Sequence, residues 1–153
     1  MGNRRRSREL AMQALFQMEM NGDDSKEAVE LFCKHFEVSK DAKPFFLRLV
    51  DGVKACQDKL DPLIERFSDN WKITRMSGVD RNLMRVAVYE LLYCDDIPPK
   101  VSINEAIDIG KRFGTEQSSA FINGILDSIR IFLEEKKDDP AAECASLFQG
   151  RED

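Results

Sequence analysis

Four arginines stand within the first eight residues, Arg4, Arg5, Arg6 and Arg8, with no carboxylate among them. Guanidinium groups bind phosphate through paired hydrogen bonds and stack on planar bases, so a near-continuous run of them suits a nucleic-acid backbone better than a catalytic step. Arg4 and Arg8 also fall about one helical turn apart. The bland alternative is a solvated, partly disordered N-terminus, and arginine-rich segments that order on RNA keep both readings open. A second stretch, Lys111-Arg112-Phe113-Gly114-Thr115-Glu116-Gln117-Ser118-Ser119-Ala120-Phe121, joins a cationic helix end, a glycine turn, polar side chains and two aromatics. These are the ingredients for stacking a splayed base and bonding its edge, although on composition alone Phe113 and Phe121 read first as core residues.

Other chemistries find little support. The sequence has no G-x-x-x-x-G-K phosphate loop, no G-x-G-x-x-G turn, no G-x-S-x-G elbow and no H-E-x-x-H pair. The one histidine, His35, sits beside Phe36 on a helix and reads as structural or exposed. Cys33, Cys56, Cys94 and Cys144 are too far apart for a C-x-x-C pair and read as reduced, idle thiols. No enzyme, metal or cofactor is expected. No apolar run spans a bilayer, which places the chain in the cytoplasm with no membrane partner. The formal charge is −5, yet the first eight residues carry +4, so the remainder carries −9. Such a chain can hold phosphate at one end, repel it elsewhere and meet a basic protein partner with its acidic body.

The elements that must position these residues read as helices throughout. Leu10, Ala11, Ala14, Leu15 and Met18 recur at helical spacing and end at Asn21-Gly22. Asp24 and Glu27 have the spacing of a capping box ahead of Ala28, Leu31, Phe32 and Phe36. Pro44 opens a third helix and Asp61-Pro62 a fourth. Val79 to Tyr93 is apolar enough for the centre of the core. Pro98-Pro99 breaks the chain, and Ser102 to Glu105 has capping-box spacing before a helix that Gly114 ends. A last helix runs from near Glu116 to Leu133. The expectation is an all-α bundle of about seven helices in one domain over residues 1–137, with a frayed tail over 138–153.

With these residues in view, the chain resembles the NusB family. The likeness is carried by Arg-Arg-Arg-Ser-Arg-Glu-Leu-Ala-Met-Gln-Ala-Leu-Phe at 4–16, by Asp80-Arg81 and Leu83 to Glu90, and by Lys100-Val101-Ser102-Ile103-Asn104-Glu105-Ala106-Ile107. It continues through Lys111, Phe113-Gly114 and Phe121-Ile122-Asn123-Gly124-Ile125-Leu126-Asp127. The resemblance implies two packed helical subdomains and a non-catalytic transcription antitermination factor that binds boxA-type single-stranded RNA during ribosomal RNA transcription. It implies the ribosomal protein NusE as partner, with other Nus factors and RNA polymerase in the complex, and it admits a homodimer. Carried over by position, Arg4, Arg5, Arg6 and Arg8 match the family's RNA-binding arginines, and Lys111, Gln117 and Phe121 fall where its RNA surface is completed. Gln117 stands where well-known members have an acidic residue, and Ala120 where a basic one can occur. Phe16 and Asp80 fall where the family meets its protein partner.

Two other functions fit parts of the pattern. NusB-like folds also precede ribosomal RNA cytosine methyltransferases, which would make this chain an RNA-targeting accessory domain without its cofactor-binding partner. A pure protein-interaction module, with arginines that touch no RNA, is the third reading.

Overall fold

Helix α1 (Gly2–Asn21) starts ahead of the arginine run, so those residues are ordered on a helix. The computed structural model describes residues 2–69 and 71–137; the tail expected over 138–153 lies outside them. After α1 come α2 (Lys26–His35), α3 (Lys43–Arg66), a short 3-10 helix Ile73–Arg75, α4 (Gly78–Tyr93), α5 (Pro99–Phe113) and α6 (Ser118–Lys137). No strand occurs among the described residues, and the all-α class expected from periodicity holds. No helix among them is long and apolar enough to cross a membrane.

Among the described residues six α-helices stand where about seven were expected, because Pro62 lies inside α3 instead of opening a new helix. An interior proline costs about 3 kcal/mol, through its missing N–H and its clash with the preceding turn. Leu60, Leu63 and Ile64 of the same stretch are all buried, and each such side chain stabilises by roughly 1.5–3 kcal/mol, so burial outweighs the proline. Asp61 is fixed as well, accepting from Arg85 Nε and Nη2 at 2.8 and 2.9 Å.

Two caps also differ from expectation. Ser25, not Asp24, caps α2: its Oγ accepts from Ala28 N at 3.1 Å, while Asp23 Oδ1 accepts from Ser25 N at 3.1 Å. The buried face is then Val29 and Phe32, leaving Leu31 66% exposed on the opposite side. The capping box at Ser102 and Glu105 does not form, since α5 already begins at Pro99. Pro99 in the first turn gives up no useful donor, and Ser102 turns to a hydrogen bond with Glu90 and Glu105 to ion pairs, both described below.

Helix α4 packs against α1, α3, α5 and α6. Leu83, Met84, Val86, Ala87 and Val88 of α4 join Leu10, Phe46, Leu49, Ile122 and Leu126 in one continuous core. Burial on every side explains its apolar sequence, and it makes α4 the post on which the arginine-bearing α1 and the α5–α6 pair are both mounted.

Candidate nucleic-acid interface

The four arginines separate into different environments. Arg8 lies inside the protein, its side chain 4% exposed against a Glu90 that is 1% exposed. Its Nε and Nη2 donate to the two Glu90 oxygens at 2.9 and 2.8 Å, and its Nη1 donates to Glu105 at 3.2 Å. Ser102 Oγ donates to Glu90 at 2.7 Å, completing the shell around that carboxylate. Arg8 therefore departs from its expected place on an RNA surface. A bidentate buried guanidinium is committed to its carboxylate, and extracting it would leave Glu90 charged in the core.

Arg5 is half-exposed and held by Glu105 and, at 2.9 Å, by Asp108. Hydrogen bonds from Arg5 hold the Glu105 carboxyl below the usual range against the opposing effect of burial. Arg4 is half-exposed, its guanidinium 4.4 Å from the centre of the Phe45 ring and 3.6 Å from Asp96. Asp96 itself is held at about 2, chiefly by hydrogen bonds from Arg48. Arg6 is the other half-exposed arginine, and among the described residues its one carboxylate contact is a long 3.4 Å approach to Glu9.

Glu9 brings the two arginine- and aromatic-bearing stretches together. Its carboxylate is 4% exposed and accepts from Arg6 Nη1 at 3.4 Å on one oxygen and from Arg112 Nη1 at 3.0 Å on the other. The start of α1 and the end of α5 are thereby fastened at one point, more than a hundred residues apart in sequence. Arg112 is 67% exposed and stands 5.2 Å from the centre of the Phe113 ring. Lys111 beside it is exposed. Two guanidiniums thus share one carboxylate with the exposed Lys111 next to one of them in sequence, leaving a local positive surface on an acidic protein.

The turn after α5 is tight. A Cβ on Gly114 would lie 2.3 Å from Ser118 Oγ and 2.8 Å from the Gly110 carbonyl oxygen, so the position admits no side chain without displacement. Ser118 is buried and its Oγ accepts from Thr115 N at 2.9 Å, locking the loop that carries Gln117. Gln117 is exposed, its Oε1 3.4 Å from Thr115 Oγ1. Phe121, one turn into α6, is half-buried and packs edge-to-face with Trp71, ring centres 6.1 Å apart. Glu9 and Trp71 went unread in the sequence, and Arg112 entered only within the cationic end of the second stretch. The three-residue spacing of Arg6 and Glu9 was a signal for the first.

Phe16 and Asp80 meet at a separate place, the junction of α1 with the head of α4. Gly78 lets the Phe16 ring lie on the first turn of α4, for a Cβ there would be 2.2 Å from Phe16 Cε1. Asp80 N donates to Ser77 Oγ at 3.1 Å, which caps the helix. Its side-chain Oδ1 is buried and takes no hydrogen bond among the described residues. A carboxylate at a helix N-terminus is favoured by the helix dipole, but an unsatisfied buried oxygen costs about 1–3 kcal/mol and marks a place where a donor would bind well.

No other chemistry gathers. His35 is exposed beside Phe36, and Cys33, Cys56 and Cys94 are free thiols. No group of three or more metal-ligating side chains occurs among the described residues. Cys144 lies outside them.

The NusB family model matches residues 5–130. The transcription antitermination protein NusB of Desulfatibacillum aliphaticivorans is 59% identical over 133 residues, which covers 87% of this chain and 93% of that protein. The protein of the same name from Myxococcus xanthus is 50% identical over 137 residues, covering 87% and 98%. Among solved structures, NusB of T. maritima shares 43% identity at a TM-score of 0.76, covering 84% of this chain and 90% of that one. A chain from a complex of the antitermination factors NusB and NusE with dsRNA shares 26% identity at a TM-score of 0.78, covering 86% and 98%. Matched along nearly the whole described chain and nearly the whole length of its relatives, the chain belongs to the NusB family of non-catalytic transcription antitermination factors.

Proposed function

We propose that this chain binds boxA-type single-stranded RNA together with the ribosomal protein NusE, and acts in the cytoplasm within an antitermination complex of RNA polymerase and other Nus factors during ribosomal RNA transcription. The observation that carries the reading is the double clasp of Glu9 on Arg6 and Arg112. It unites the N-terminal arginines with the α5–α6 loop, the two stretches whose chemistry pointed to RNA. Arg4, Arg6, Arg112 and Lys111 supply phosphate attraction, and Arg5 adds to it where phosphate displaces Asp108. Gln117 offers hydrogen bonds to a base edge, and Phe121 a face for stacking. Arg8 acts from beneath, fixing α1 against α4 and α5.

Partner binding belongs to the Phe16 and Asp80 junction. A buried carboxylate oxygen awaiting a donor, beside an aromatic ring, suits a basic protein such as a ribosomal protein. The solved complex of NusB and NusE with dsRNA supports the pairing by similarity. A homodimer covering the arginine surface would compete with RNA.

The test is fluorescence anisotropy of a labelled boxA-type strand against a scrambled strand, with and without NusE. Tighter binding of the matched strand, strengthened by NusE and lost in an Arg4→Ala/Arg6→Ala/Arg112→Ala variant, is expected. Equal, weak binding of both strands that ignores these arginines would leave a protein-interaction module instead.

A further inference from the structure

The exposed aromatic ring beside Phe121 has no part in the surface described so far. Trp71 is the chain's single tryptophan and is 53% exposed, although large aromatic side chains ordinarily gain by burial. Its place is fixed: Trp71 N donates to the Ser68 carbonyl at 3.0 Å, and the buried Ser68 returns a hydroxyl hydrogen bond to the Trp71 carbonyl at 2.9 Å. The next turn is anchored too, with Ile73 N donating to Glu65 at 2.7 Å. The indole is thus presented on ordered backbone, steeply inclined to the Phe121 ring at 64°. Lys72 and Arg75, on either side of the buried Ile73, are exposed. On α6, Gly124 is exposed one turn along from Phe121, and a Cβ there would meet nothing within 4 Å, so the helix face beyond Phe121 is open.

An ordered aromatic ring with exposed cations in the same short segment is the composition that binds a nucleotide of a single strand, the base by stacking and the phosphate by charge. We infer that Trp71, Lys72 and Arg75 form a nucleotide subsite continuous with Phe121, so that single-stranded RNA runs from the arginines of α1 across the α5–α6 loop onto this ring. The inference rests on the RNA-binding reading above and adds a position to it. A protein partner is the competing occupant. The cations flanking the ring favour RNA, because the partner proposed for the Phe16 and Asp80 junction is itself basic.

The experiment reads the single tryptophan directly. Intrinsic fluorescence and anisotropy are followed together as a boxA-type strand with unpaired nucleotides at each end is titrated into the full chain, into Trp71→Ala, Trp71→Phe and a Lys72→Ala/Arg75→Ala variant. The expected result is quenching of Trp71 in step with binding, a loss of affinity of roughly 5- to 100-fold in Trp71→Ala, the equivalent of one aromatic stack on a base, and retention of most affinity in Trp71→Phe. Removing Lys72 and Arg75 is expected to flatten the salt dependence by roughly 1.4 in log–log slope. RNA bound with unchanged fluorescence and unchanged affinity in Trp71→Ala would overturn the subsite and leave the RNA reading intact. Quenching by NusE alone, with Trp71→Ala weakening only NusE, would assign the face to protein and overturn the subsite as well. Absence of RNA binding by any measure would remove both proposals together.

Discussion

Replacing Arg8 should damage the fold and spare the RNA surface, against the expectation from its place in the arginine run. Arg8→Met keeps the apolar stem and removes the guanidinium, so three hydrogen bonds to Glu90 and Glu105 vanish. Glu90, 1% exposed, is left with the Ser102 hydroxyl. Removing one partner of a buried pair costs about 3–5 kcal/mol, a large share of the roughly 5–15 kcal/mol that holds a domain together. At about 2–4 °C per kcal/mol for a chain of this length, the melting temperature should fall by roughly 6–20 °C. Urea unfolding followed by circular dichroism and by Trp71 fluorescence measures the loss. Adding Glu90→Leu should recover most of it, since an apolar pair of similar volume replaces a buried ion pair at little cost; the Ser102 hydroxyl then loses its acceptor, so recovery stops about 1–3 kcal/mol short. RNA affinity, measured where the variant is folded, should stay within about threefold of the parent, because the lost group faces Glu90 and not solvent. A variant as stable as the parent that nevertheless binds RNA as poorly as Arg6→Ala would refute this reasoning.

Other consequences are open to simpler measurements. Gly114→Ala places a Cβ against Ser118 Oγ and the Gly110 carbonyl, and should destabilise by about 1–3 kcal/mol and weaken RNA binding by shifting the loop that bears Gln117, both readable on one purified variant. Pro62→Ala in α3 should stabilise by about 1–3 kcal/mol, the helical gain less the added freedom of the unfolded chain, and a loss of stability in urea would show that the proline is not strained. Glu105 and Asp96 both have carboxyls held below their ordinary values, by hydrogen bonds from Arg5 and Arg48 respectively. Groups depressed in the fold stabilise it above their unfolded pKa, about 4, and lose that contribution as pH falls through the folded value. The urea midpoint should therefore be insensitive to these groups between about pH 7 and 5 and fall below about pH 4. Burial pushes the Cys94 thiol up to about 11, so modification by a thiol reagent at pH 7 should be slow at Cys94 and should quicken with urea.

Much of the fold was legible because helical periodicity survives in helices with one wet face. Leu10, Ala11, Ala14, Leu15 and Met18 of α1 are all buried as their spacing required. The failures share a cause: a short-range signal was overruled by tertiary contact. Pro62 reads locally as a helix start, but Leu60, Leu63 and Ile64 need an unbroken helix to reach the core. Ser102 and Glu105 match a capping box, but Glu90 and Arg8 take them. In the candidate interface the arginine run was visible and its division was not, since nothing in four similar residues tells which one points at a carboxylate 82 positions away. Glu9, the residue that joins the two stretches, looked like any charge on a helix until its two partners were placed. Trp71 lay in a segment without periodicity, where exposure is a property of the fold alone.

The most direct test of RNA recognition by this surface is the salt dependence of boxA-type strand affinity for the parent chain and for Arg6→Ala/Arg112→Ala. Those two cations meet at Glu9 and lie largely outside the packed core. If they neutralise phosphates, the log–log slope should shallow by roughly 1.4 in the variant, with weaker binding at every salt concentration, read well below a melting temperature that falls because the buried Glu9 loses both guanidinium partners. A folded variant with the parent's slope and affinity would contradict RNA recognition at the Glu9 clasp.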